Sequence, residues 1–182
     1  NMILHYTFPI INLSHIKNMT TDFGMIQFSK INKPDINSGY TLDDNARAMI
    51  VACRHYELSR DESDLDLILT YLRLIKFCQQ PDGSFLNYIN QHKEFIQQNY
   101  ETNLEDSNGR AIWALGYLLS IKTILPQQFS DEAESIIEKS LSPIENIHST
   151  RAMAFIIKGL HYQNSENNIP LLKKLANRLV KM

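Results

Sequence analysis

Three short blocks along the chain share one pattern, in which a polar cluster runs into Arg-Ala and then into an apolar stretch. The blocks are Asp-Asn-Ala-Arg-Ala at 44–48, Ser-Asn-Gly-Arg-Ala at 107–111 and His-Ser-Thr-Arg-Ala at 148–152. Apolar residues continue after each block at intervals of three and four, which is the spacing of a helix face. A chain that begins three helices in the same way is built from repeated units, and this limits the folds open to it.

The apolar spacing predicts six long helices that alternate in character. The third and fifth are apolar nearly all round, as buried helices are, whereas the second, fourth and sixth carry charge on one face. The sequence therefore predicts an all-α fold of three helical hairpins, each an inner helix followed by an outer one, over residues 41–182. The predicted helices cover 41–60, 65–79, 107–121, 130–141, 149–162 and 169–181.

The segments outside these helices have a different pattern. Proline and glycine interrupt residues 1–40 at Pro9, Gly24, Pro34 and Gly39. We expect an irregular N-terminal segment that packs on the helical domain and holds one short helix at 12–19, with Ser14 as its cap. Weak alternation after a Pro-Asp-Gly turn predicts a small β-hairpin near residues 84–97.

Composition narrows the classes of function. The formal net charge is -2 and no Lys/Arg-rich run is present, so we expect no nucleic-acid partner. Short apolar runs predict no membrane span, and the absence of a signal-peptide pattern, with two cysteines inside helical patterns, predicts a cytoplasmic location. The histidines show no paired ligand spacing and no phosphate loop is present, so no metal or cofactor is predicted.

Each arginine of the repeat lies in the first turns of an inner helix, where the helix dipole disfavours a cation. The structural explanation is that each arginine pairs with an acid and ties neighbouring hairpins together. Asp43 and Arg47 are four residues apart on one helix face, as are Asp106 and Arg110. The functional explanation is a ring of Arg, Asp and Asn at one mouth of a helical barrel, suited to hydroxyl-rich or anionic ligands. The two explanations are compatible.

Two pairs of acids, Asp43-Asp44 and Glu105-Asp106, stand at the starts of inner helices. Helix capping explains one acid of each pair but not the second. Two carboxylate pairs that meet at one mouth provide the residue types of a general acid and base for glycosidic-bond chemistry. If the domain is an enzyme, Asp44 and Asp106 are its catalytic candidates.

Longer segments around these blocks resemble a known family. They are Met-Thr-Thr-Asp-Phe-Gly-Met-Ile-Gln-Phe at 19–28, Gly-Tyr-Thr-Leu-Asp-Asp-Asn-Ala-Arg-Ala at 39–48 and Leu-Glu-Asp-Ser-Asn-Gly-Arg-Ala-Ile-Trp-Ala-Leu-Gly at 104–116. Together they resemble the six-hairpin-glycosidase-like (α/α toroid) domain of bacteria, which often follows a glycosyltransferase domain or is encoded near mannoside-processing enzymes. Residues 8–162 carry the resemblance, with a weaker third block at 149–152.

The resemblance implies part of an (α/α) toroid that binds or processes a sugar or oligosaccharide at a mouth formed by the inner-helix starts. The family usually has His where this chain has Ser38 and Asn108. A complete toroid also has more hairpins than the three predicted here, so the resemblance implies completion by a missing chain portion or a second copy. The substrate-binding candidates are Tyr40, Asp43, Asn45, Arg47, Glu105, Asn108, Arg110 and Arg151.

Two alternatives remain open. The segment Gln-Gln-Pro-Asp-Gly-Ser-Phe at 79–85 is similar to a turn repeated in terpenoid cyclase and prenyltransferase toroids, although it occurs once here. The pair Asp43-Asp44 also lacks a third acid at Arg47 for a diphosphate-bound magnesium cluster. The other alternative is a non-catalytic helical-repeat module for binding or scaffolding, in which a sugar is held without turnover.

Overall fold

The computed structural model describes residues 11–181, so Pro9 and the rest of the irregular segment predicted at 1–10 lie outside the described residues. The described chain is mostly helical with two small antiparallel strand pairs, which confirms the all-α class. The helices are α1 (Ser14–Met19), α2 (Leu42–Ser59), α3 (Ser63–Cys78), α4 (Glu105–Ser120), α5 (Gln127–Ile144), α6 (Thr150–Gln163) and α7 (Ile169–Val180). The strands are β1 (Ser29–Lys30), β2 (Lys33–Pro34), β3 (Tyr40–Thr41) and β4 (Tyr88–Ile89).

Helices α2 to α7 form the three predicted hairpins in two layers. The inner helices α2, α4 and α6 lie side by side, and α3, α5 and α7 each pack on the inner helix before them. Eleven of the sixteen residues of α4 are buried, whereas Leu175 is the buried residue of α7. In none of the helices described between residues 11 and 181 is the apolar stretch long enough for a membrane crossing.

The last inner helix, α6, departs from the prediction of all-round burial. Five of its fourteen residues are buried, and Ala154 and Lys158 are exposed. The reason is its position, because α4 covers one side of α6 and no inner helix within residues 11–181 covers the other. Helix α6 is therefore apolar on nearly all sides in sequence but is covered by an inner helix on one side only.

Helices α4 and α6 meet through glycine. A Cβ atom on Gly116 would lie 1.9 Å from the carbonyl oxygen of Gly159, and a Cβ on Gly159 would lie 2.3 Å from the carbonyl oxygen of Ile112. Gly109 faces Ala152 in the same way, nearer the starts of the helices. Side chains larger than hydrogen would separate the two backbones, so these glycines set the distance between the helices and bring their starts together.

The predicted β-hairpin near 84–97 forms in part. A bridge joins Ile89 to Phe95, and the N–H of Ile96 donates to the carbonyl oxygen of Tyr88. The regular pairing of β4, however, is with β3, the strand that leads directly into α2. The segment therefore holds the start of α2 in place, a role that local alternation in the sequence does not reveal.

Helix boundaries differ from the prediction where turn chemistry decides them. Helix α5 begins at Gln127 and not at Ser130. Pro126 holds the N-cap position directly before it, and the proline ring fixes φ there at -55°. Ser130 consequently lies inside the helix and is buried. Ser14 is the first residue of α1 and not its cap, because Leu13 holds the N-cap position. The N–H of Ser14 donates to Asn12 Oδ1 at 2.8 Å.

Candidate functional site

Asn45 and Asn108, both predicted ligand contacts, perform one structural task. Each is the fourth residue of its helix and donates its side-chain N–H groups to the carbonyl oxygen four residues earlier and to an extended loop residue. Asn45 bonds in this way to the backbone N–H and carbonyl of Met25, and Asn108 bonds to those of Phe85. Their amide groups already have backbone partners, so the geometry assigns both asparagines to holding loops.

Asp44, the first catalytic candidate, belongs to the cap of α2. Thr41 Oγ1 accepts from the N–H of Asp44 at 3.2 Å and donates to Asp44 Oδ2 at 2.6 Å, a reciprocal capping arrangement. Arg47 Nη2 donates to the other oxygen, Oδ1, at 2.5 Å. Both carboxylate oxygens of Asp44 are therefore engaged within the protein.

Two further predicted contacts, Tyr40 and Glu105, are also held by neighbours. Tyr40 is 5% exposed, and its hydroxyl lies 3.1 Å from Thr21 Oγ1. Glu105 accepts from the backbone N–H groups of His148 at 3.1 Å and Ser149 at 2.5 Å. Because Ser149 is the N-cap of α6, the carboxylate of Glu105 stabilises the positive end of the neighbouring helix.

Ion pairs connect the starts of the three inner helices. Asp43 Oδ1 lies 2.6 Å from Arg110 Nε, which joins α2 to α4, and Asp106 Oδ2 accepts from Arg151 Nε at 2.5 Å, which joins α4 to α6. Arg47 stays on its own helix and donates to Asp43 Oδ2 at 2.9 Å. The prediction that each arginine ties neighbouring hairpins therefore holds for Arg110 and Arg151 but not for Arg47. The predicted Asp43–Arg47 pair forms, whereas the predicted Asp106–Arg110 pair is wrong. Each acid faces the next helix because the helix starts lie side by side.

The third arginine occupies a different place in its helix from the first two. Arg47 and Arg110 are the sixth residues of α2 and α4, whereas Arg151 is the second residue of α6. Arg151 therefore takes the position that Asp43 and Asp106 hold in the other helices. All three arginines lie at one end of the inner layer, and the shift gives Asp106 a cationic partner across the junction.

These side chains line a polar cleft of about 180 Å³, called here the mouth cleft. It contains four predicted site residues, Asp43, Asp106, Arg110 and Arg151, but not Asp44. The loops between the hairpins supply lining that the repeat pattern did not single out, because these residues lie outside the helices that carry the repeat. The loop residues are Asn87, Tyr88, Asn103 and Leu104. Ser107, in the first turn of α4, completes the lining.

The charge state of Asp106 limits the chemistry of the cleft. Partial burial raises the pKa of Asp106, but hydrogen bonds from Ser149 and Arg151, with the charges of Arg151 and Arg110, outweigh it and hold the pKa below its ordinary 3.8. The carboxyl is therefore ionised at neutral pH and has no proton to donate as a general acid. Since Asp44 lies outside the cleft, Asp44 and Asp106 do not face one shared space.

Comparisons with known proteins add no assignment to this geometry. No protein-family model and no curated protein matches the chain. Across residues 11–181, no three histidine, cysteine, aspartate or glutamate side chains lie together as a metal site requires. The mouth cleft is accordingly the candidate site that the predicted residues and the geometry have in common.

Proposed function

We propose that the mouth cleft binds a hydroxyl-rich sugar. The observation that carries this proposal is the convergence of Asp43, Asp106, Arg110 and Arg151 on one cleft. Carboxylates accept hydrogen bonds from hydroxyl groups and guanidinium groups donate to them, so the lining matches the alternating donors and acceptors of a sugar. With a volume of about 180 Å³, the cleft is smaller than the roughly 300–1,000 Å³ of drug-sized pockets, which favours a single sugar unit.

Binding without turnover is the form of the proposal that the cleft supports best. Glycoside hydrolysis uses one protonated and one ionised carboxyl, and Asp106 is ionised while Asp44 caps α2. The terpenoid-cyclase alternative is less well supported, because Arg47 and Arg110 neutralise Asp43 and leave no free acid set for a magnesium diphosphate. We also propose that further hairpins, from a longer chain or a second copy, pack on the uncovered side of α6 and complete the toroid.

A cytoplasmic location is part of the same proposal. Cys53 and Cys78 are both free and buried. Burial raises the pKa of each thiol, so both remain protonated and unreactive at neutral pH. Two unpaired thiols in the core fit a reducing compartment better than an oxidising one.

The test is calorimetric titration with mannose- and glucose-based mono- and oligosaccharides, on the parent chain and on Arg151→Gln. Arg151 has an exposed side chain and lines the cleft, so we expect the variant to fold and to bind at least about tenfold more weakly, as the loss of a charged hydrogen bond predicts. Arg73→Gln is the matched control, since Arg73 is exposed on α3 away from the cleft. Absence of binding to every sugar, or equal affinity for the parent and Arg151→Gln, contradicts the proposal.

A further inference from the structure

The acceptor atoms of the mouth cleft are largely in use within the protein. All four carboxylate oxygens of its two acids, Asp43 and Asp106, already have internal partners. Asp43 lies between two guanidinium groups, and Asp106 accepts from a hydroxyl and a guanidinium group. The partners are Arg47 and Arg110 for Asp43, and Ser149 and Arg151 for Asp106.

The two asparagines of the cleft use their oxygens in the same way. Asn87 Oδ1 accepts from the N–H of Asp43 at 3.0 Å, and Asn103 Oδ1 accepts from the N–H of Glu105 at 2.8 Å. Because a backbone N–H donates, these bonds fix which side-chain atom is the oxygen. Neither Nδ2 group has a hydrogen-bond partner among residues 11–181. Asn87 is 6% exposed, so its unpaired Nδ2 group belongs to the wall of the cleft and not to the open surface.

The start of α4 adds two backbone donors to the same lining. Thr41 caps α2 and Ser149 caps α6, whereas no side chain in the described part of the protein caps α4. The N–H groups of Asp106 and Ser107 lie in the first turn of α4, where a helix has no internal partner for them, and both residues line the cleft. An uncapped helix start leaves such N–H groups available to an acceptor on a ligand.

The two arginines of the cleft also keep unused donors. Arg110 faces Asp43 through Nε, and Arg151 faces Asp106 through Nε and Nη2. Within residues 11–181, both Nη groups of Arg110 and Nη1 of Arg151 make no hydrogen bond. The guanidinium group of Arg110 lies 4.6 Å from the centroid of the Phe155 ring, which holds it at the cleft wall. The unused hydrogen-bonding capacity of the cleft is therefore mainly donor capacity.

We infer that the sugar bound in the mouth cleft carries a carboxylate, so that the ligand is a uronate. This assignment rests on the proposed function, since it names the class of sugar that the cleft holds. An ionised carboxylate has about four acceptor positions and no donor, which matches a set of unpaired backbone, amide and guanidinium N–H groups. Each carboxylate oxygen of Asp43 and Asp106 can accept a second hydrogen bond, so the sugar hydroxyl groups still find acceptors.

The charges around the cleft favour a carboxylate over a phosphate. Asp43 and Asp106 balance Arg110 and Arg151, so these four lining side chains add no net charge. The positive end of α4 attracts an anion, and the carboxylate of Glu105 is turned to the backbone N–H groups at the start of α6. A carboxylate brings one negative charge, whereas a phosphate brings about 1.5 to 2 at neutral pH and is repelled more strongly by the two acids.

The experiment compares the methyl glycosides of glucose and mannose with the methyl glycosides of the corresponding uronic acids, by calorimetric titration of the full chain at neutral pH. The members of each pair differ at C6, which is a hydroxymethyl group in one and a carboxylate in the other. We expect the uronide to bind at least about tenfold more tightly, because hydrogen bonds to a charged acceptor are stronger than those to a neutral one. The methyl ester of the uronide, which has no charge, is expected to bind like the neutral glycoside.

Asn103→Asp tests whether the carboxylate lies in the cleft. The variant keeps Oδ1 as the acceptor for the N–H of Glu105 but replaces the Nδ2 donor by a second carboxylate oxygen. Asn103 is exposed, so we expect the variant to fold and the ratio of uronide to glycoside affinity to fall to about one. Asn167→Asp makes the same change of net charge at an exposed position outside the cleft, and it is the matched control that retains the ratio of the parent.

The outcomes separate this inference from the proposed function. If neutral glycosides bind and uronides have no advantage, the carboxylate assignment is overturned while sugar binding stands. If neither class binds, the proposed function fails and the assignment fails with it. An unchanged ratio in Asn103→Asp, or an ester that binds as tightly as the acid, overturns the assignment. Glucose 6-phosphate that binds more tightly than the glucuronide, or acetate that binds as tightly, overturns it as well. The ester comparison uses the parent chain and decides the question even if Asn103→Asp does not fold.

Discussion

The α2–α4 junction and the α4–α6 junction join equivalent inner helices by different means. At the first, a long loop separates the hairpins, and Asn108 fastens that loop to α4 through Phe85. At the second, a short turn connects the hairpins, Gly116 and Gly159 bring the backbones into contact, and Glu105 caps the incoming helix. The contacts of each repeat block thus depend on the segment that leads into its helix, which is a long loop before α4 and a short turn before α6. An asparagine appears where there is a loop to hold, and direct helix contact appears where there is none.

The largest effect is expected at the glycine contact of the α4–α6 junction. Gly116→Val would place side-chain atoms against the backbone of Gly159. We expect the free energy of unfolding to fall by at least about 3 kcal/mol, because backbone on both sides leaves little room to relax. Ala154→Val on the exposed face of α6 controls for the introduced side chain and is expected within about 0.5 kcal/mol of the parent. Chemical denaturation measures both, and a small effect at Gly116 means that the helices can separate freely.

The asparagine pair gives the next largest effect. Asn45→Ala and Asn108→Ala each leave a loop residue's backbone groups without their side-chain partner, so we expect a loss of about 1–3 kcal/mol for each. Similar losses at the two sites are expected because the hydrogen-bond patterns match. Asn167→Ala, at an exposed position, is the control and should change the stability little. A loss at one asparagine alone breaks the equivalence of the first two blocks.

A smaller effect is expected for the ion pair across the α2–α4 junction. Asp43 faces both Arg47 and Arg110, so Asp43→Asn removes two attractions and is expected to lower the free energy of unfolding by about 1 kcal/mol. Asp66→Asn controls for a carboxylate near a helix start, since Asp66 is exposed in the first turn of α3. Denaturation at low and high salt checks the assignment, because the effect of Asp43→Asn should shrink in high salt. An effect that is independent of salt points to packing instead.

The smallest effect concerns pH at the α4–α6 junction. The pKa of Asp106 in the folded chain lies below its ordinary 3.8, so the ionised carboxyl stabilises the fold above that value and the contribution is lost as the pH falls through the lowered pKa. Asp106→Asn is therefore expected to lower the melting temperature by about 1–2 °C at neutral pH. The melting temperatures of parent and variant should converge as the pH falls through the lowered pKa of Asp106. A difference that persists in acid would falsify the charge-based role of Asp106.

The sequence predicts a feature of the fold well when neighbouring residues determine it, and poorly when contacts between distant segments do. The apolar run of α4 is local, and it correctly predicts a buried inner helix. The partner of Arg110 lies on another helix, so spacing within α4 suggested Asp106 where the folded chain uses Asp43. The all-round apolar pattern of α6 likewise carries no information on which neighbour covers it.

The same rule applies to the site: the sequence predicts the residues whose positions are set locally, but not those placed by distant contacts. The repeat blocks predict that Arg110 and Arg151 lie at one end of the inner helices, and the acid pairs at the helix starts predict the same for Asp43 and Asp106. The mouth cleft contains all four. The task of Asn45 depends on the conformation of a loop twenty residues earlier, which no periodicity encodes. Similarly, Asn87 and Tyr88 join the cleft because β4 pairs with β3, a contact between segments far apart in sequence.

The central claim is that a sugar binds in the mouth cleft, and chemical-shift mapping by nuclear magnetic resonance tests it most directly. The uniformly ¹⁵N-labelled chain is titrated with the tightest sugar found by calorimetry, or with each sugar in turn at high concentration. We predict saturable shifts at the side-chain amides of Asn87 and Asn103 and at the backbone N–H groups of residues 104–107, with the control region around Arg73 unchanged. Shifts confined to other surfaces, or no shifts with any sugar, contradict the claim.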